Sequence, residues 1–125
     1  MPAYTFFGKA LHTEEQAVYA VYTSSDRTSA EFIVMPAEPV LAVIEVDAGP
    51  AANWPTLKGF YEHYKKKPYE VLGLAIDPKS REELVLYQPI YETNYDYFLR
   101  PKAMFQGNLD DGTQRFKKVR TLSFG

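Results

Sequence analysis

The sequence contains no cysteine. That absence removes disulfide frameworks, thiolate metal sites and thiol nucleophiles together, and it fits a reducing compartment. Histidine is scarce. His12 and His63 are the two, and neither has a second His or a Cys at ligand spacing, so no metal site is expected. Long apolar runs are missing as well. The longest purely aliphatic stretch, Val40 to Ile44, falls far short of the ~20 residues a membrane span requires. The N-terminus lacks the basic start and apolar core of a secretory signal, so the expected location is the cytoplasm, with no membrane partner. A Gly-rich phosphate loop and a nucleophile elbow are also absent. No two carboxylates stand out as an acid–base couple, and Glu82-Glu83 falls where strand alternation separates the pair. The residues therefore nominate no catalytic group and no cofactor.

What is present is aromatic. Of 125 residues 15% are aromatic, and Tyr leads with 10. The hydrophobic fraction is 46%, and a chain of this size buries roughly two-thirds of the surface its unfolded form exposes. Folding then needs no metal or disulfide. The net charge of −2 draws the chain to no nucleic acid. The charge is uneven, however. Residues 1–58 hold three basic and seven acidic side chains, and residues 59–125 hold eleven and nine.

Pro, Gly and small polar residues divide the chain into short runs rich in β-branched and aromatic residues. The first part predicts strands at Tyr4–Leu11, Ala17–Thr23, Ala30–Met35 and Val40–Val46, the last apolar enough to be buried on both faces. Thr13-Glu-Glu-Gln16 has the spacing of a helix capping box, so a short helix over Glu14–Tyr22 competes with the second strand. Residues 48–58 read as a linker, with the one Trp, Trp54, packing it onto a domain. Strands resume at Gly59–Lys65, Tyr69–Ile76, Glu83–Gln88 and Tyr95–Arg100. Pro101–Phe105 fits a turn of helix, Asp110–Gly112 a hairpin turn, and Gln114–Val119 a last strand. Five short strands at this spacing imply a small barrel or sandwich. Leu72, Leu74, Leu84, Leu86, Met104 and Phe105 are its expected core.

One set of motifs is more specific. It comprises Gly59-Phe-Tyr-Glu-His-Tyr-Lys65, Tyr69-Glu-Val-Leu-Gly-Leu-Ala75, Glu82-Glu-Leu-Val-Leu-Tyr87, Tyr91, Arg100-Pro101, Met104-Phe105 and Arg115-Phe116. In order and spacing, residues 59–116 resemble the family known as domain of unknown function 1653. The resemblance implies a small SH3-like barrel over 59–125 and implies no activity. Two departures stand out. The family's usual His-Ser-Glu-Thr turn is here Asp77-Pro78-Lys79-Ser80, and its usual Trp two residues before Arg-Pro is Phe98. The expected fold is thus mainly β: a C-terminal SH3-like barrel with a β-rich segment at 1–47. That segment either extends the barrel or forms a degenerate second one. A shift of 51 residues favours the second arrangement faintly, setting Gly8 on Gly59, His12 on His63 and Asp26 on Asp77.

The functional expectation is a non-catalytic binding module for a protein or peptide. His63, Tyr64, Tyr87, Tyr91 and Arg100 would form the receiving face. Arg offers a planar fork to carboxylate or phosphate, and Tyr offers ring area at low entropic cost. In the structural reading of the same residues, His63 is a hydrogen-bonded strand residue, Arg100 pairs with Glu82 or Glu83, and the Tyr rings pack inward. Nucleic acid is the alternative partner. Lys65–Lys67, Arg115, Lys117, Lys118 and Arg120 supply charge, and Tyr87, Tyr91, Tyr95 and Tyr97 supply rings, although interspersed Asp residues oppose it. A small-molecule hydrolase without a recognisable motif is a third reading.

Overall fold

The computed structural model describes residues 2–26, 28–49, 58–63, 65, 67–91, 93–105, 107, 112 and 116–119. Its elements in order are β1 (Ala3–His12), β2 (Ala17–Thr23), β3 (Phe32–Pro36), β4 (Val43–Glu45), β5 (Gly59–His63), β6 (Pro68–Ile76), β7 (Glu83–Pro89), β8 (Tyr97–Pro101), the single-turn helix α1 (Lys102–Phe105) and β9 (Phe116–Val119). The protein is mainly β, as its runs of β-branched and aromatic residues predict.

The strands lie in the order β3-β2-β1-β8-β7-β6-β5-β9, and β3 also pairs with β6. Six strands therefore close into a ring, three of them before residue 48 and three after residue 58. Two seams of the ring are parallel. β1 meets β8 through Ala10↔Tyr97, Leu11↔Phe98 and His12↔Leu99. β3 meets β6 through Phe32↔Ala75 and Ile33↔Ile76. Outside the ring, β4 pairs with the start of β1, β5 with the start of β6, and β9 with β5.

The two halves of the ring repeat one another at an offset of 65 residues. Gly8 pairs with Val21 and Gly73 with Leu86, each just after a bulge. Tyr22 pairs with Ile33 and Tyr87 with Phe98. The seams obey the same offset, Ala10↔Tyr97 against Phe32↔Ala75. The hairpin turns match as well. His12 Nδ1 accepts the amides of Glu14 (3.2 Å) and Glu15 (3.1 Å), and Asp77 Oδ1 accepts those of Lys79 (2.9 Å) and Ser80 (3.3 Å). Both turns end on a left-handed residue, Gln16 (φ 54°) and Arg81 (φ 65°). The shift of 51 is thereby corrected: Gly8 corresponds to Gly73 rather than Gly59, and His12 to Asp77 rather than His63.

Alternation along the strands divides the apolar residues into two sets. One cluster draws on all six ring strands in equivalent pairs, among them Ala10 with Ala75, Val21 with Leu86, Val34 with Leu99 and Phe32 with Tyr97. Close packing there requires glycine. A Cβ on Gly8 would stand 2.9 Å from the Tyr97 ring, and one on Gly73 would stand 3.0 Å from the Phe32 ring. The other cluster joins Tyr4, Tyr22, Tyr61, Tyr87, Phe105 and Phe116 with the flanking segments.

Several expectations need correction. The competing helix over Glu14–Tyr22 is not formed. His12 takes the amides that a cap would claim, and 17–23 is strand. The strand expected at Val40–Val46 shrinks to Val43–Glu45 and is not buried on both faces. It pairs with β1 alone, leaving Val43 and Leu41 exposed. Leu74, Leu84, Leu86 and Phe105 are buried as expected, but Leu72 at the bulge is only partly so. Met104 is exposed, because the one turn of α1 turns only Phe105 inward. The expected places of Trp54 and most of the Asp110–Gly112 turn lie outside the described residues.

Candidate functional site

The second half of the ring carries a dense group of rings. β7 presents Tyr87, β8 presents Phe98 and Arg100, β6 presents Tyr69, and β5, α1 and β9 supply His63, Phe105 and Phe116. Tyr87 stacks on Phe98 at 5.8 Å and meets Tyr69, Phe105 and Phe116 at 5.3, 5.6 and 5.6 Å. Phe105 and Phe116 are stacked at 4.2 Å. His63 places its ring 4.9 Å from Phe116, and its Nδ1 accepts the Lys65 amide at 3.3 Å. These distances are those of favourable edge and offset-stacked pairs.

Among the described residues, one guanidinium enters this group. Arg100 lies with its carbon 5.3 Å from the Phe116 centroid, a cation–π geometry. Its Nε donates to Tyr87 Oη at 3.3 Å, and its Nη1 stands 3.7 Å from Glu14 Oε1. The second distance exceeds a hydrogen bond, so that contact is held by charge alone. The Arg100 side chain is only 14% exposed. A guanidinium carries five N–H donors. Among the described residues one of them is hydrogen-bonded, while the cation itself is largely withdrawn from water.

Toward the start of β6 the chemistry changes. The hydroxyls of Tyr69 and Tyr91 share a hydrogen bond, and the Lys67 ammonium lies 5.0 Å from the Tyr91 centroid. Burial, followed by the Tyr91 hydrogen bond, pushes the Tyr69 phenol well up. Burial also raises Tyr87, and Arg100 partly offsets it. Both phenols stay protonated near neutrality and act as neutral donors and acceptors.

The residues expected from sequence thus fall as follows. His63, Tyr87, Tyr91 and Arg100 come into one connected cluster, and Tyr64 lies outside the described residues. Tyr87 is buried, so its ring is framework, and its hydroxyl accepts from Arg100. Arg100 pairs with neither Glu82 nor Glu83; Lys102 takes Glu83 at 3.0 Å. Among the rings expected for stacking, Tyr97 packs on Phe7 at 4.9 Å and Tyr95 is exposed. Three organisers were missed. Tyr69 and Phe116 were legible as alternating strand aromatics. Glu14, from the other half of the chain, left no local signal. Among the described residues, no group of three His, Asp or Glu could hold a metal ion, and no helix is long and apolar enough to cross a membrane.

Comparison with known proteins falls on this half. Residues 59–118 match the family described as "Protein of unknown function (DUF1653)", which bears out the resemblance read over 59–116. A crystal structure of a DUF1653 protein from Bordetella bronchiseptica is similar at 28% identity, with 54% of this chain and 92% of that chain covered and a TM-score of 0.49. No curated protein matches the sequence.

Proposed function

We propose that the protein is a non-catalytic binding module that receives a carboxylate-bearing segment of a protein or peptide on Arg100. One observation carries the reading: a guanidinium that is 14% exposed holds one hydrogen bond and one loose ion pair among the described residues. Holding a cation away from water is costly unless hydrogen-bonded anions compensate it. An incoming carboxylate supplies that compensation through the Arg fork, and charge-assisted bonds of this kind are the strong ones. The surrounding rings hold the guanidinium in place, so little entropy is lost on binding.

Nucleic acid fits less well. Stacking needs open ring faces, yet Tyr87 is buried and Lys67 already covers Tyr91. The test is fluorescence anisotropy with labelled hexaglutamate, hexaglutamine and a short oligothymidine. Hexaglutamate should bind wild type and weaken roughly tenfold with Arg100→Gln, the loss of one charge-assisted bond. Mass spectrometry should recover the peptide intact. Tighter oligothymidine binding that falls steeply with salt would overturn the reading. Cleavage of the peptide would replace it with a hydrolase.

A further inference from the structure

Among the described residues, the carboxylate paired with Arg100 comes from the other half of the ring, and its backbone is fastened in place. Glu14 sits in the hairpin turn after β1. His12 Nδ1 holds the Glu14 and Glu15 amides at 3.2 and 3.1 Å, and the Gln16 amide donates to the His12 carbonyl at 2.8 Å. The turn is also fastened to the strand that bears Arg100, through the Thr13 amide on the Leu99 carbonyl at 3.0 Å. The parallel β1–β8 seam therefore delivers Glu14 to Arg100. The pseudo-equivalent positions carry no such pair: at the offset of 65, Lys79 stands for Glu14 and Met35 for Arg100. The ion pair is present on one side only.

Resting on the binding reading above, we infer that Glu14 is a built-in competitor: an internal carboxylate that covers Arg100 and must be displaced by the carboxylate of the ligand. The geometry fits a cover rather than a permanent strut. At 3.7 Å the pair lacks a hydrogen bond, and the Glu14 side chain is 40% exposed, so it can swing into water while its backbone stays pinned. A partly exposed pair of this kind is weak. The cover thus discriminates by charge. A neutral segment gains nothing by displacing Glu14, whereas an acidic one replaces a loose ion pair with a bonded one.

The experiment is a double-mutant cycle on the full chain with labelled hexaglutamate as probe. Glu14→Gln keeps the amide that the turn uses and removes the charge. It should tighten binding roughly two- to fivefold. Glu15→Gln, one residue away, controls for the general loss of negative charge and should tighten binding clearly less. In the Arg100→Gln background, Glu14→Gln should have no effect. Melting temperatures establish that each variant is folded, and Glu14→Ala provides a second removal of the carboxylate. If Arg100→Gln weakens binding but Glu14→Gln and Glu14→Ala match wild type, the competitor is overturned and the site stands. Equal tightening by Glu15→Gln overturns it too. If wild type and Arg100→Gln bind alike, the binding reading itself fails.

Discussion

The two halves of the ring share a backbone plan and differ in what they do with it. In the first half, Tyr4 donates to the Ala30 carbonyl, Tyr22 accepts the Leu41 amide, and Met35 fills its place with apolar bulk. Each hydroxyl is spent on holding a loop. In the second half the equivalent positions are Tyr69, Tyr87 and Arg100, and their polar atoms meet side chains: Tyr91, Arg100 and Glu14. The same phenols are thus structural pins in one half and components of a polar cluster in the other. At the offset of 65, one position is filled by apolar Met35 in the first half and by Arg100 in the second.

The comparison can be broken hardest in the shared core. Leu86 and its twin Val21 are both fully buried. Leu86→Ala should cost about 2–5 kcal/mol. Because the cluster joins all six strands, amide exchange should accelerate in β2 as much as in β7. Protection lost in β7 alone would show that the halves fold as separate units.

Glycine gives the next largest effect. Gly8→Ala and Gly73→Ala each press a methyl against a ring of the opposite half, and each should cost about 1–3 kcal/mol in urea denaturation. Unequal costs would reveal that one seam yields more readily than the other.

Exchanging the differing residues sharpens the contrast. Arg100→Met imposes the first half's choice. It should be neutral or stabilising by about 1 kcal/mol, because a poorly compensated cation is exchanged for apolar bulk. Binding of hexaglutamate should weaken roughly tenfold, as with Arg100→Gln. A large loss of stability would show that Arg100 is a structural strut.

The smallest expected effect is spectroscopic. In the first half, the Tyr19 phenol is pushed up to about 12, mainly by its hydrogen bond to Glu15 and then by burial. Glu15→Gln should bring its phenolate signal back toward the ordinary value of about 10. Tyr69 and Tyr87, raised chiefly by burial, should not follow. Since these folded-state values lie above the unfolded one, their stabilisation is complete below about pH 10 and is lost as pH rises beyond it.

Much of the strand content was readable because β-branched and aromatic runs end at Pro, Gly and Asp clusters. The pairing was not. Parallel seams such as Ala10↔Tyr97 join residues with no local relation. The repeat was hidden for a related reason. Matching His12 to His63 follows identity, whereas the fold matches His12 to Asp77 because either side chain can accept two successive amides. Arg100, Tyr87, Tyr91 and His63 could be grouped from sequence because Arg and Tyr recur on successive predicted strands, and the structure brings those four side chains into one cluster. Glu14 required the seam. Phe98, singled out in the sequence as a departure from the resemblance, stacks on Tyr87.

Ring closure also governs how the chain must fold. The β1–β8 seam waits for residue 97 to meet residue 10, and long-range parallel pairing of this kind forms slowly. During synthesis β1–β3 emerge first, with the edges of β1 and β3 that later enter the seams still unpaired. Such edges recruit other strands. Until β6–β8 arrive to occupy them, those edges are open to pairing with other chains, the feature that makes partly folded β-rich species prone to aggregate.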